Sequence, residues 1–261
     1  MRPLAFLVLV LLCFACGGGE PTAATDAPLT ADDIIRTAIE RNGLADFDST
    51  AVSFRFRDKR YRYQRLNGRF AYERWWTDTT DGSRIRDVLT NDTLVRYVDD
   101  APVALDPKRR RAYGNSVNSV VYFAFLPWAL ADPGVRATYV GPDTIRGESL
   151  HHLTVGFATH GAEDHADDYE YWFDPTTYDI RYLAYSEPGG KAPRFREAYN
   201  SRTVDGIRVR DYRNYTTADK SNLRVDGLAA LYETDSLRLL SVIEHDEFRR
   251  EAVVNSGATR E

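Results

Sequence analysis

The chain has 261 residues, 28% of them charged and 12% aromatic, and a formal net charge of −5 at pH 7. That acidic balance argues against nucleic acid and against anionic membrane headgroups as partners. Both cysteines, Cys13 and Cys16, fall near the N-terminus, which removes disulfide scaffolds, thiolate metal sites and a cysteine nucleophile from everything after them.

The first segment reads as an address. Arg2 precedes the apolar stretch LAFLVLVLLCFA, residues 4–15, which is too short to span a bilayer comfortably. Phe14-Ala15-Cys16 followed by three glycines resembles a bacterial lipobox, with Cys13 where that pattern commonly has Leu. The resemblance implies that residues 1–15 are a signal peptide and that Cys16 becomes the lipidated first residue, carrying palmitate or a similar acyl group. Each buried methylene contributes ~0.8 kcal/mol, so a diacyl or triacyl anchor holds without a second signal. The implied place is the cell envelope, at the periplasmic or surface side of the outer membrane. Loss of Arg2 with this segment brings the charge to about −6. Residues 16–29 are small, polar and proline-punctuated, and read as a flexible tether. Residues 30–250 suffice for one β-rich domain, with 251–261 left as a disordered tail.

A short helix opens the domain. Thr30 is its N-cap, Asp33 follows three residues later, Ile34, Ile35, Ala38 and Ile39 form its stripe, and Asn42-Gly43 ends it. The period then changes from 3.6 to two. Val52, Phe54 and Phe56 alternate with Ser53, Arg55 and Arg57, and Tyr61 and Tyr63 continue the pattern. Turn pairs at Asn67-Gly68, Asp81-Gly82, Asn91-Asp92 and Asp99-Asp100 divide residues 51–104 into five or six antiparallel strands.

The stretch GNSVNSVVYFAFLPWALADP, residues 114–133, interrupts the strands with eleven uncharged positions from Val120 to Leu130. Pro127 breaks this run, which is well short of the ~20 residues of a transmembrane helix. A helix capped at Asn115 or Ser116 puts Val117, Val120, Val121 and Ala124 on one face, with Phe123 and Phe125 to either side. Burying Phe123, Phe125 and Trp128 is worth on the order of 10–15 kcal/mol as an upper bound. A core helix, a lid over a ligand cavity and a docking face all stay open. Strands resume after it, with turns at Arg146-Gly147, Asp174-Pro175, Pro188-Gly189-Gly190 and Asp205-Gly206, and a last strand in LRLLSVIEHDEF. The expected fold is mainly β: a large curved antiparallel sheet or open half-barrel of about 11–13 strands, with two or three helices as a lid.

The stretches VSFRFRDKRY, NSVNSVVYFAFLPWAL, YEYWFD and VDGIRVRDY resemble an uncharacterised family of lipoproteins and secreted proteins from Gram-negative bacteria, across about 31–245. At fold level that family is similar to the periplasmic lipoprotein carriers LolA and LolB, whose half-barrel is closed by helices over an apolar cavity for acyl chains. The resemblance implies an apolar cavity, not an activity. Its walls would be Phe54, Phe56, Phe70, Trp75 or Trp76, with Val117, Val121, Phe123, Phe125 and Trp128 on the lid.

Candidate chemistry is sparse. His160, Glu163, Asp164, His165, Asp167 and Asp168 crowd one loop, and His160, Asp164 and His165 are weak metal-ligand candidates. Their spacing matches no ligand motif, so the plain reading is a solvated acidic loop. Adjacent strand residues face opposite ways, so His151 and His152 cannot converge on one ion; one should face the interior and one solvent. Arg109, Arg110 and Arg111 can meet phosphate, or simply mark a loop or helix end. No nucleophile-elbow, phosphate-loop, dinucleotide or zinc-protease motif is present. The expectation is a non-enzyme without cofactor. Its partner is a lipid or other hydrophobic small molecule, or, with a filled core, an envelope protein. A metal-assisted hydrolase built on His160 and His165 is the remaining alternative.

Overall fold

The computed structural model describes residues 28–157, 169–187, 191–218 and 224–254. The first helix, α1 (Ala31–Arg41), has the reciprocal cap its sequence announces. Asp33 N donates to Thr30 Oγ1 at 3.2 Å, and the Asp33 carboxylate accepts from the Thr30 hydroxyl at 2.6 Å. Gly43 follows at φ +70°, where any side chain would collide with the Gly206 carbonyl. Only glycine fits there.

Successive hairpins form β1 (Ala51–Phe56), β2 (Lys59–Leu66), β3 (Arg69–Thr77), β4 (Arg84–Thr90), β5 (Leu94–Val98) and β6 (Ala101–Val103). Asn67, Asp99 and Asp100 take the left-handed conformation at the expected turns. The long helix α2 (Pro107–Ala124) comes next and starts earlier than Asn115 or Ser116. Asp106 caps it, accepting from Arg109 N at 2.9 Å, and Pro107 stands in its first turn. Residues 107–112 are exposed, so apolar periodicity says nothing about them. Arg109, Arg110 and Arg111 are therefore helical and face solvent.

After a short turn, Trp128–Ala131, come β7 (Val135–Ile145), β8 (Glu148–Phe157), β9 (Tyr169–Phe173), β10 (Ile180–Glu187), β11 (Lys191–Val204) and β12 (Ile207–Thr216). The small helix α3 (Leu228–Glu233), β13 (Arg238–Ile243) and β14 (His245–Glu251) complete the order. The fold is mainly β, with open, curved antiparallel sheets and three α-helices among the described residues, as expected. The strands of those residues number fourteen, a little above the expected count, and they divide into two sheets of seven. The orders are β14-β1-β2-β3-β4-β5-β6 and β13-β12-β11-β10-β9-β8-β7. Only Glu244 separates β13 from β14, so one stretch of chain edges both sheets. Its bend is fixed by His245 N donating to Asp211 Oδ1 at 3.1 Å and by Arg202 donating to the His245 carbonyl. Glu251, the first residue of the expected tail, ends β14, and Val254 N donates to Gln64 Oε1 at 2.9 Å.

Three layers of apolar packing hold this frame. α1 covers the inner face of the second sheet with Ile34, Ile35 and Ala38 against Leu153, Tyr171 and Leu183. α2 puts Val117 and Val121, and the residue after its end, Phe125, against Phe54, Tyr63 and Leu94 of the first sheet. α3 closes the other face of the second sheet over Trp172, Phe195 and Tyr182. No helix among the described residues is long and apolar enough to cross a membrane.

Candidate functional site

α2 lies in the concavity of the two sheets with its seam face packed and both flanks open. The packed face is Val117 and Val121, continued by Phe125 just past the helix end. Phe125 is ringed by Phe47 and Tyr63 with centroids at 5.0 Å and by Phe54 at 5.6 Å. Arg210, buried on β12, fixes the chain beyond the helix by donating to the Leu126 carbonyl at 2.9 Å and to Asn42 of the α1 cap.

The first flank is a cleft of about 360 Å³ between the end of α2 and strands β2 and β3. Its walls include Tyr63, Phe70, Tyr72, Val121, Phe125 and Trp128, with Arg65 and Asp132 as charged groups. The Arg65 guanidinium sits 4.6 Å from the Trp128 ring. Burial pushes the Tyr72 hydroxyl up to about 12 and raises Tyr63 further, so both are neutral rings at ordinary pH.

The second flank is a cleft of about 430 Å³ between α2 and the second sheet. Phe56, Val120, Phe123 and Ile243 line it beside Arg196 and His245. The Arg196 guanidinium lies 3.9 Å from the Phe123 ring and its Nη2 donates to the Tyr185 hydroxyl at 2.6 Å.

The expected wall and lid residues therefore divide. Phe70, Val121, Phe125 and Trp128 border the first cleft, and Phe56 and Phe123 the second. Phe54 and Val117 are core and border neither. Trp75 and Trp76 lie elsewhere, at a hollow of about 540 Å³ with Asp58, Arg60 and Arg84. Trp76 shares the α2 side of β3 but lies under two guanidinium groups, Arg96 at 5.3 Å and Arg74 at 5.5 Å, and Trp75 faces the other side of the strand.

Those arginines belong to a buried network that the alternation pattern hides. Asp87 on β4, fully buried, accepts from Arg74 Nε at 2.7 Å and from Arg96 Nε and Nη2 at 2.7 and 2.9 Å. Arg74 also donates to Ser116 Oγ of α2 at 2.7 Å, so the network positions the helix over the first sheet.

His151 and His152 do face opposite ways, but neither is left to solvent, because both faces of the second sheet are covered. His151 Nδ1 lies 3.1 Å from the Tyr139 hydroxyl, and burial lowers its pKa. His152 stacks on Trp172 with centroids 4.7 Å apart. The candidate metal ligands His160, Asp164 and His165, with Glu163, Asp167 and Asp168, lie outside the described residues. Among the described residues, no three His, Cys, Asp or Glu side chains gather as a metal site.

His245 gives the domain an acid limit. Burial among Phe54, Phe56 and Phe248 pushes its imidazole down to about 4; Asp211 opposes this, and Arg196 and Arg202 add to it. The unfolded chain takes the proton near 6.5, so the folded state loses stability as pH falls from about 6.5 toward 4, by up to roughly 3 kcal/mol. His245→Phe should flatten that limb in urea unfolding between pH 7 and 4.5. Parallel curves for the two proteins would refute the assignment.

A LolA superfamily protein from Nitrosomonas europaea is similar in structure, with a TM-score of 0.48 at 13% identity over 87% of this chain and 94% of that one. A domain named for outer membrane lipoprotein sorting from Vibrio parahaemolyticus gives 0.45 at 8% identity, over 85% and 94%. A DUF1329 family protein from Desulfovibrio piger gives 0.43 at 11% identity, over 87% and 95%. No curated protein matches the chain in sequence. The model of a family of unknown function, DUF6503, matches residues 30–245, and the chain belongs to that family.

Proposed function

We propose that this protein is a cell-envelope binding module that holds an acyl chain or a similar hydrophobic ligand in the first cleft beside α2. The observation that carries this reading is the cleft itself. About 360 Å³ of space is bordered by Tyr63, Phe70, Tyr72, Val121, Phe125 and Trp128, a size and lining suited to a small apolar ligand. In this reading the Val120–Leu130 run is half core and half cleft wall. The lipobox belongs to the same proposal: a lipid on Cys16 would keep the module at a membrane, where such ligands are found. The reading assigns no catalytic residue.

The full chain carrying Cys16→Ser, purified without detergent, tests it. Each methylene buried is worth ~0.8 kcal/mol, so affinity for a series of primary alcohols should rise about fourfold per added carbon until the cleft is full. Trp128→Ala should weaken the longest bound member at least tenfold. Absence of uptake by the unmodified sequence, with native mass spectrometry showing no carried lipid, would favour a filled-core interaction protein.

A further inference from the structure

The second cleft differs from the first in charge. Arg57, Arg194 and Arg196 border it, and among the described residues no carboxylate does, although the chain as a whole is acidic. Arg196 is the unusual member. It is 7% exposed, as deeply buried as Arg74 and nearly as deeply as Arg210. Arg74 pairs with Asp87 at 2.7 Å and Arg210 with Asp179 at 3.5 Å. Arg196 has no carboxylate within ion-pair distance among the described residues. Its Nη2 meets the Tyr185 hydroxyl, while its buried Nε has no partner.

Burying a guanidinium without a counter-charge is costly. The ring faces of Phe123 at 3.9 Å, Tyr185 at 5.0 Å and Tyr212 at 5.9 Å offset only part of that cost, since a ring face is a weaker partner for a cation than a carboxylate. Two neighbours at the same cleft are also unfinished. Asn214 Nδ2 donates to Ser241 Oγ at 3.2 Å, but its Oδ1 is buried without a partner, and so is His245 Nδ1. Around this polar floor the wall is apolar, from Val120 and Phe123 on α2 to Ile243 and the 41% exposed Leu240 on β13.

We propose that this cleft takes the oxyanion head of a single-chain acyl amphiphile, a carboxylate or a phosphate, with Arg196 as its counter-charge and the chain lying along Phe123 and Val120. Guanidinium groups bind both oxyanions through charge-assisted N–H bonds. The assignment goes beyond ligand binding in the first cleft and does not depend on it. A local, desolvated cation decides the sign of the ligand even on an acidic protein, because surface charges are screened over ~10 Å.

Calorimetric titration of the delipidated full chain carrying Cys16→Ser distinguishes the outcomes. Oleate should bind at least tenfold tighter than oleyl alcohol, which has the same chain and no charge. Arg196→Met, which keeps length and removes charge, should bring the two to equal affinity. Ser119→Glu, at an exposed position of α2 on the cleft rim, should weaken oleate at least tenfold and leave the alcohol unchanged; it carries the test if Arg196→Met does not fold. Oleoyl lysophosphatidic acid binding tighter than oleate assigns a phosphate head, and the reverse order a carboxylate. Trp128→Ala should leave oleate affinity as it is while weakening the alcohol held in the first cleft, which separates the two clefts. Equal affinity of the unmodified sequence for oleate and oleyl alcohol, or an unchanged ratio in Arg196→Met, overturns the proposal. No binding of the alcohol at either cleft overturns the first-cleft reading alone.

Discussion

Phe125→Ala is expected to lower stability by about 3–5 kcal/mol, and Trp128→Ala, three residues on, by about 1–2 kcal/mol, because its ring is only partly buried and borders the first cleft. Phe125 is 2% exposed and touches Phe47, Tyr63, Phe54 and Phe248, with edge contacts to the last two at 5.6 and 6.0 Å. Its removal leaves a hole walled by rings that cannot all collapse inward. Trp128 is half-buried, one side against Phe47 and Tyr63 and another at the first cleft under Arg65. Urea midpoints with an unchanged slope measure both losses. Near-equal losses would mean that the whole apolar run is core, and the cleft wall would then have no energetic signature of its own.

Much of the fold is legible because local rules agree there. The cap of α1, its stripe and its stop are all within fifteen residues of one another, and turns such as Asn67-Gly68 and Asp205-Gly206 are marked by residues that tolerate positive φ, whereas the β1–β2 turn places Arg57 there. The failures have one form. Where an element is fixed by something distant, the sequence is silent. α2 begins at Asp106-Pro107 rather than at the apolar periodicity, because its first turns bury nothing. LRLLSVIEHDEF reads as one strand and is one stretch of chain, yet it bends at Glu244 and edges two sheets, held by Asp211 of β12 and Arg202 of β11. α3 has six residues, no side-chain cap and Gly227 at φ +86° before it, so nothing local announces it.

The clefts were legible only as a set of apolar side chains, not as two spaces. Alternation on β3 puts Phe70, Tyr72, Arg74 and Trp76 on one face, and the habit of reading charge as outward conceals Arg74. Its burial makes sense only once Asp87 on β4 and Arg96 on β5 come into register beside it. Arg196 and His245 are hidden in the same way, since each lies in a strand that carries several other charged residues, none of them, among the described residues, as deeply buried. Register between strands brought together by folding is not a local property. A buried charge therefore looks the same in sequence as an exposed one.

Asp87→Ala should cost about 3–5 kcal/mol, as large an effect as any core truncation, because it strands two buried cations. The carboxylate is fully buried, and the Arg74 and Arg96 side chains are 7% and 16% exposed. Salt does little to screen charges so placed, so the loss should persist in 1 M NaCl, unlike that of a surface pair. Asp87→Asn keeps the shape and part of the bonding, and should fall between. The double variant Asp87→Leu with Arg74→Met should recover much of the loss, since removing a cation relieves the charge left alone; the two changes would be non-additive by 1–3 kcal/mol. Hydrogen exchange supplies a second readout. Arg74 holds Ser116, so amides of α2 should exchange faster in Asp87→Ala, while those of α1, which touches the second sheet, change only with global stability. A loss under 1 kcal/mol with α2 unchanged would show the three side chains to be hydrated, and α2 would then owe its position over the two clefts to apolar contacts alone.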